Sequence, residues 1–307
     1  MAPVKLIVVF AARLALPPVN PPSTGHFLLP KRGAASDLEI VGMAADIAPG
    51  TVRYISYDRL ASLPQTTVTV TGDDNFRELP QQKLTVTGVY LDVLESSLGA
   101  LPGSNLLTAL CSDGYRATYT GDYVKMHRPI LALKIDGLPV KAWVAQTHND
   151  DPGTYFITHA DFTPSFSVLS FSEIPKIPAK IIRLEFGTTR QVYGAIAPHQ
   201  GDASNPEVID GFRIAQQHCY RCHNMGSYGG TKAGRSWHTL GNYAASSPST
   251  FERYLRNPKS IDPKSAMSPN PQLDESTAKV LQTYFQTFAT MPTHPQSSRR
   301  ISAFIKP

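Results

Sequence analysis

Cysteine is scarce, with three in 307 residues, too few for the disulfide frameworks that hold small secreted domains together. Charge is thin too: Asp, Glu, Lys and Arg make up 17% of the chain. No Lys/Arg block or basic-aromatic array marks a nucleic-acid surface. No apolar run approaches the roughly 20 residues of a membrane-spanning helix. The first such run, residues 6–12, is stopped after seven positions by Arg13. With 26 prolines and 21 glycines, turns and extended connections are expected throughout, which excludes a simple helical bundle. The length has room for two ordinary domains, each with its own core. A net charge of +5 suits an electrostatic docking surface for an acidic partner.

The chain opens with Met-Ala-Pro-Val-Lys before the short apolar run, the layout of a secretory signal, although Leu14-Ala15-Leu16 makes a poor cleavage site. An exposed strand is the other reading. Residues 17–35 are rich in Pro and small polar residues. Residues 1–35 are therefore expected to be an export signal or an extended Pro-rich arm.

What the chain does contain is Cys219-Tyr220-Arg221-Cys222-His223, the C-x-x-C-H spacing of c-type haem attachment. On a helix, positions 219, 222 and 223 lie close to one face. Two thiols can then add to the two vinyl groups of one porphyrin while the imidazole of His223 reaches the iron. A zinc site would need two more ligands at suitable spacing, and the third cysteine, Cys111, is far upstream. A thioredoxin-like pair would follow a strand, whereas this pair follows a helical run.

The surroundings resemble the class I cytochromes c. Asn205-Pro206-Glu207 reads as a helix start, with Val208, Phe212 and Ala215 leading along one face to Cys219. For a second axial ligand, Met225 is too close to His223, Met1, Met43 and Met126 lie outside the domain, and Met291 follows the final helix. That leaves Met267, 44 residues beyond His223 in a Pro-rich loop, where the resemblance implies the distal thioether. His238 and His294 are the alternatives, each read as a surface histidine. Ser249-Thr-Phe-Glu252 fits a capping box, opening a helix with Phe251, Tyr254 and Leu255 on one side. Asp274 caps a last helix with a stripe of Val280 or Leu281, Tyr284, Phe285 and Phe288. The stretch 234–241 is expected as a loop on the proximal side, with Trp237 and Leu240 as core residues first that also pack on the porphyrin, and Arg235 pairing with a propionate.

Upstream, Thr66–Val70 and residues 84–88 alternate as strands, and Leu91, Leu94 and Leu98 suit a short helix. Strands are also expected over 106–110, 115–120, 130–135, 155–158 and 180–186, with Asp-Gly turns at 113–114 and 136–137. The order Leu84-Thr-Val-Thr-Gly-Val-Tyr-Leu-Asp-Val-Leu94, Ser112-Asp-Gly-Tyr-Arg-Ala117 and Ile130-Leu-Ala-Leu-Lys-Ile-Asp-Gly137 resembles the molybdopterin-binding domain of the sulfite oxidase family. The resemblance implies an α+β fold with a mixed sheet. Residues 65–87 hold no cysteine where that family places its molybdenum ligand, Cys111 reads as a small buried hydrophobe, and Arg116, His127 and Arg128 read as packing or solvated residues. The domain is expected to keep the family fold without molybdopterin or molybdenum.

The expected organisation is an arm over 1–35, a sulfite oxidase-like α+β domain over 36–196, an all-α class I cytochrome c domain over 197–291, and a tail over 292–307. The expected function is periplasmic one-electron transfer through one haem c held by Cys219 and Cys222, with His223 and Met267 as axial ligands. The N-terminal domain would dock a redox partner or a larger respiratory or dehydrogenase complex, with neither nucleic acid nor a membrane span of its own. The competing readings are a molybdenum-dependent dehydrogenase acting on a small sulfite-like substrate, and a structural haem subunit.

Overall fold

The computed structural model describes residues 27–45, 47–71, 73–76, 82–160, 174–270 and 272–290. The residues 6–12 run, Met291, His294 and the tail from 292 lie outside them. Strands dominate the first part, which runs β1 (Leu38–Gly42), β2 (Val52–Ile55), α1 (Tyr57–Ala61), β3 (Thr66–Val70), β4 (Leu84–Tyr90), α2 (Leu91–Ser97), β5 (Leu106–Cys111), β6 (Arg116–Thr120), α3 (Gly121–His127), β7 (Ile130–Ile135), β8 (Leu138–Pro139), α4 (Val140–Thr147), β9 (Phe156–Thr158), β10 (Ile181–Gly187) and α5 (Thr189–Tyr193). The second part holds α6 (Pro206–His218), a small hairpin of β11 (Asn224–Met225) and β12 (Tyr228–Gly229), α7 (Trp237–Ser246), α8 (Pro248–Arg256) and α9 (Glu275–Gln286). The chain is thus a mixed α/β protein with several sheets.

One five-stranded sheet has the order β2-β1-β10-β5-β6; the other runs β3-β4-β7-β8, with β9 also paired to β7. Only β1 and β10 pair in parallel in the first sheet. The apolar continuity of β7 follows from its position. Leu131 and Leu133 face the core shared with the first sheet, while Ile130, Ala132 and Ile135 face a second core with Phe76, Trp143 and Phe156. A strand covered on both faces loses the polar alternation of a half-solvated one.

Glu95, on α2, has its carboxyl pushed up to about 7 by burial first and by the neighbouring Asp92 second. The folded chain therefore holds a proton that the unfolded chain has released, and stability falls as pH rises between about 4.5 and 7. In Glu95→Gln, the urea midpoint is expected to lose this part of its pH dependence; an identical slope in both proteins would contradict the assignment.

A third core joins the helices. Asn205 caps α6, its side-chain oxygen accepting from the Glu207 amide, and Pro206 takes the first turn, where a missing N–H costs nothing. Asp274 caps α9 by accepting from Thr277. These helices cross at Gly211, where a Cβ would stand 2.4 Å from both the Tyr284 Cβ and the Val280 carbonyl oxygen. Only a glycine permits that approach. Tyr193 and Ile196, just before α6, pack in the same core, as does Leu106 of β5.

Three local expectations need correction. The capping box at Ser249 does not form: Pro248 starts α8 earlier, with Ser247 before it and no side-chain cap bond. The stretch 234–241 is not all loop, because the Ser236 hydroxyl accepts from the Thr239 amide and α7 begins at Trp237. The helical part is also not strictly all-α, since the two-residue ladder of β11 and β12 follows the Cys motif.

Candidate functional site

The five-residue motif sits just past a helix rather than on it. α6 ends at His218, and Cys219 is its cap, its amide donating to the Ala215 carbonyl. The amides of Cys222 and His223 both donate to the Cys219 carbonyl, at 3.1 and 2.9 Å. One tight turn therefore keeps both thiols and the imidazole together. It is pinned from outside: the Gly230 amide donates to the Tyr220 carbonyl (2.8 Å), the Ala233 amide to the Cys222 carbonyl (2.9 Å), and the Tyr220 hydroxyl to the Val192 carbonyl (2.6 Å).

His223 Nδ1 lies 2.7 Å from the Arg235 carbonyl oxygen. A carbonyl only accepts, so Nδ1 carries the proton and Nε2 keeps its lone pair, the arrangement that orients a metal-ligating histidine. Burial lowers the His223 pKa below its ordinary value, opposed by that hydrogen bond, so the ring is neutral at pH 7. Cys219 and Cys222 are both free thiols. Burial pushes Cys219 up to about 12 and raises Cys222 as well.

These groups open onto one cavity of about 1310 Å³, larger than the ~300–1,000 Å³ of most small-molecule pockets. Cys219, Cys222, His223, Arg235, Leu240 and Met267 all line it. The Met267 loop is tied to α8. The Tyr254 hydroxyl and Ser265 Oγ are 2.8 Å apart, Ser265 Oγ accepts from the Met267 amide (3.2 Å), and Asn270 Nδ2 donates to the Leu255 and Ser268 carbonyls. The Asn270 amide adds a bond to the Arg256 carbonyl. A soft thioether on so constrained a loop has little freedom to leave the cavity.

Trp237 is elsewhere. It is fully buried in the helical core, its indole N–H donating to the Tyr284 hydroxyl (3.2 Å), which in turn donates to the Ile196 carbonyl (2.6 Å). Its ring lies 5.0 Å from that of Phe285, and it is absent from the cavity wall, so it supports the pocket from behind. Leu240, one turn along α7, reaches the cavity. The guanidinium of Arg235 lies over the Tyr254 ring at 5.1 Å. His238 is drawn away from the cavity toward α9, with Nδ1 3.1 Å from the Phe288 carbonyl oxygen.

The strand-rich part forms the opposite wall, with Cys111, Asp113, Tyr115, Ile177 and Lys180. Cys111 therefore shares a cavity with the other two thiols, although 108 positions separate it from Cys219. No sequence signal marks that meeting. Burial pushes its thiol up to about 12. Of the other residues weighed as ligands, Arg116 pairs with Glu185 at 2.9 Å, Arg128 stacks on Tyr90 at 4.2 Å, and His127 stacks on Tyr123 at 4.4 Å. Among the described residues, no group of three or more His, Cys, Asp or Glu is arranged to hold a metal ion, and no helix is long and apolar enough to cross a membrane.

No protein family model matches the chain, and no curated protein matches it in sequence. Among solved structures, it is similar to the crystal structure of the sulfane dehydrogenase SoxCD from Paracoccus pantotrophus, at 15% identity and a TM-score of 0.35. The match covers 51% of this chain and 40% of that one, so the chain spans less than half of its neighbour's length.

Proposed function

We propose that the chain is an exported, periplasmic one-electron carrier or redox-complex subunit holding a single haem c. The single observation that carries this reading is the His223 Nδ1 bond to the Arg235 carbonyl, which frees Nε2 beside two thiols and a thioether in one cavity. The donor set fits the group. Cys219 and Cys222 would anchor it through thioether bonds, His223 would ligate from the motif side, and Met267 from its tied loop. When bound, the haem supplies an iron that cycles between ferric and ferrous. The chain's residues then exclude water with Leu240, Phe251, Leu281 and Phe285 and hold both axial donors in place. With His223 and Met267 both engaged, a bound haem would leave substrate no open site, which favours transfer over catalysis. The mixed-sheet unit, of sulfite oxidase-like architecture over 36–196, would serve as docking or assembly module for the haem unit over 197–291.

Optical spectra and metal analysis of one purified sample test the reading. The expected result is one iron per chain, a c-type reduced spectrum, and the sulfur-to-iron charge-transfer band in the oxidised form. Met267→Ala should lose that band and lower the reduction potential while keeping covalent haem. Colourless protein, or molybdenum near one equivalent, would overturn the proposal.

A further inference from the structure

The haem motif is built into a seam with the β5–β6 turn. The Arg116 amide donates to the Arg221 carbonyl (2.9 Å), the Thr231 amide to the Gly114 carbonyl (2.9 Å), and Lys232 pairs with Asp113 at 2.7 Å. Tyr115 fills the gap, with Lys232 Nζ at 5.5 Å and the Arg221 guanidinium at 5.9 Å from its ring centre. Arg221 stands between the two attachment cysteines in sequence and lines the same cavity. Its Nε donates to the His218 carbonyl (3.1 Å).

Arg221 differs from the other cations around the cavity. Lys232 has Asp113, while Arg235 and Lys180 are exposed to solvent. Among the described residues no carboxylate lies in ion-pair range of Arg221. The ionisable groups acting on it are Tyr115, Cys222 and Cys219, none of them a carboxylate. Its field in turn reaches His223, His218 and Lys176. A half-buried guanidinium whose side-chain partner is the Tyr115 hydroxyl rather than a carboxylate is costly to hold, and it acts strongly on any nearby centre that changes charge. A porphyrin's vinyl edge is the one bound to the cysteines, and its propionates leave from the opposite edge. Arg221, between the two cysteines, would thus stand nearer the covalent edge of a bound haem than its carboxylates.

We propose that Arg221, sealed against the motif by Tyr115 and the β5–β6 turn, is a positioning cation that raises the haem's reduction potential, and that the mixed-sheet unit supplies the seal. The proposal rests on the haem reading and goes beyond it. Oxidation sends one electron to an external acceptor and leaves one more positive charge at the iron, with no bond made or broken. A fixed cation nearby opposes that change and favours the ferrous form. Half-buried beside Tyr115, the charge is screened less than an exposed one.

Spectroelectrochemical titration of the holoprotein is the test. Arg221→Gln is expected to favour the oxidised form at least tenfold at fixed ambient potential, a drop of 59 mV or more for one electron, with the Met-ligation band intact. Arg221→Lys, keeping the charge, should retain most of the wild-type potential. The difference between wild type and Arg221→Gln should persist at 1 M salt, where exposed charges are screened within ~3 Å. An unchanged potential in Arg221→Gln, or a difference that vanishes at 1 M salt, overturns the proposal.

If Arg221→Gln does not yield holoprotein, Gly114→Ala decides. Gly114 has φ +82°, and a Cβ there would stand 2.3 Å from Thr231 Oγ1 and 3.1 Å from the Lys232 amide nitrogen. That variant wedges the seam open with every charge retained. It should lower the potential and make it salt-dependent; the wild-type potential would overturn the proposal. A wild-type protein without haem would instead sink the haem reading itself, before any potential is measured.

Discussion

The double variant Cys219→Ser/Cys222→Ser is expected to lose all haem that survives denaturation, so haem staining on a denaturing gel should fall from one equivalent to background. Serine keeps the size of the side chain and removes the sulfur that would carry the bond, so the fold around the motif has no steric reason to change. His223 and Met267 remain, and some haem should still bind reversibly to the native protein. Each single variant keeps one attachment point and should stain at intermediate strength. Thiol counting on unfolded wild-type protein gives an independent readout. The chain has three cysteines; if two carry the haem, only Cys111 should be alkylated. Three alkylated thiols in the wild type would end the attachment reading.

Trp237→Ala should be the most damaging single change to stability in the helical part, at about 3–5 kcal/mol. The side chain is fully buried and packs against Tyr220, Tyr284, Phe285 and Phe288. It thus connects the start of α7 to α9 and to the turn holding the cysteines. Truncation leaves a void that the two helices and the turn cannot close together. Trp237→Phe should cost far less, since the ring stays and the Tyr284 hydroxyl still donates to Ile196. Urea unfolding followed at the far-ultraviolet helix signal measures both. A loss below 1 kcal/mol in Trp237→Ala would show that the core repacks around the gap.

Local pattern carried much of the architecture. Thr66–Val70, 84–88 and 130–135 were readable as strands because β-branched and apolar residues in short runs fit a pleated surface and little else. Asn205 and Asp274 were readable as caps because a short side-chain oxygen just before an apolar face has one use there. The adjacency of β1 and β10 was not readable, since Ile40 and its partner Leu184 meet through chain closure rather than any local signal. Ser249 misled because Pro248 and Ser247 compete for the same helix start. Trp237 is readable as a core residue, and the structure buries it; its contact with the hydroxyl of Tyr284, 47 residues on, is what the sequence does not show. The burial of Cys111 follows from its apolar strand, but its place on the cavity wall with Cys222 depends on how the β5–β6 turn meets the motif.

The α6–α9 crossing at Gly211 also sets an order of events in time. Cys222 leaves the ribosome 64 residues before the end of α9 at Gln286, which at about 5–20 residues per second leaves some 3–13 s. During that interval α6 can lie only against the earlier Leu106, Tyr193 and Ile196, and the helix that crosses it at Gly211 is still missing. Late arrival of the last helix would then act as a latch on a core whose other parts are already in place.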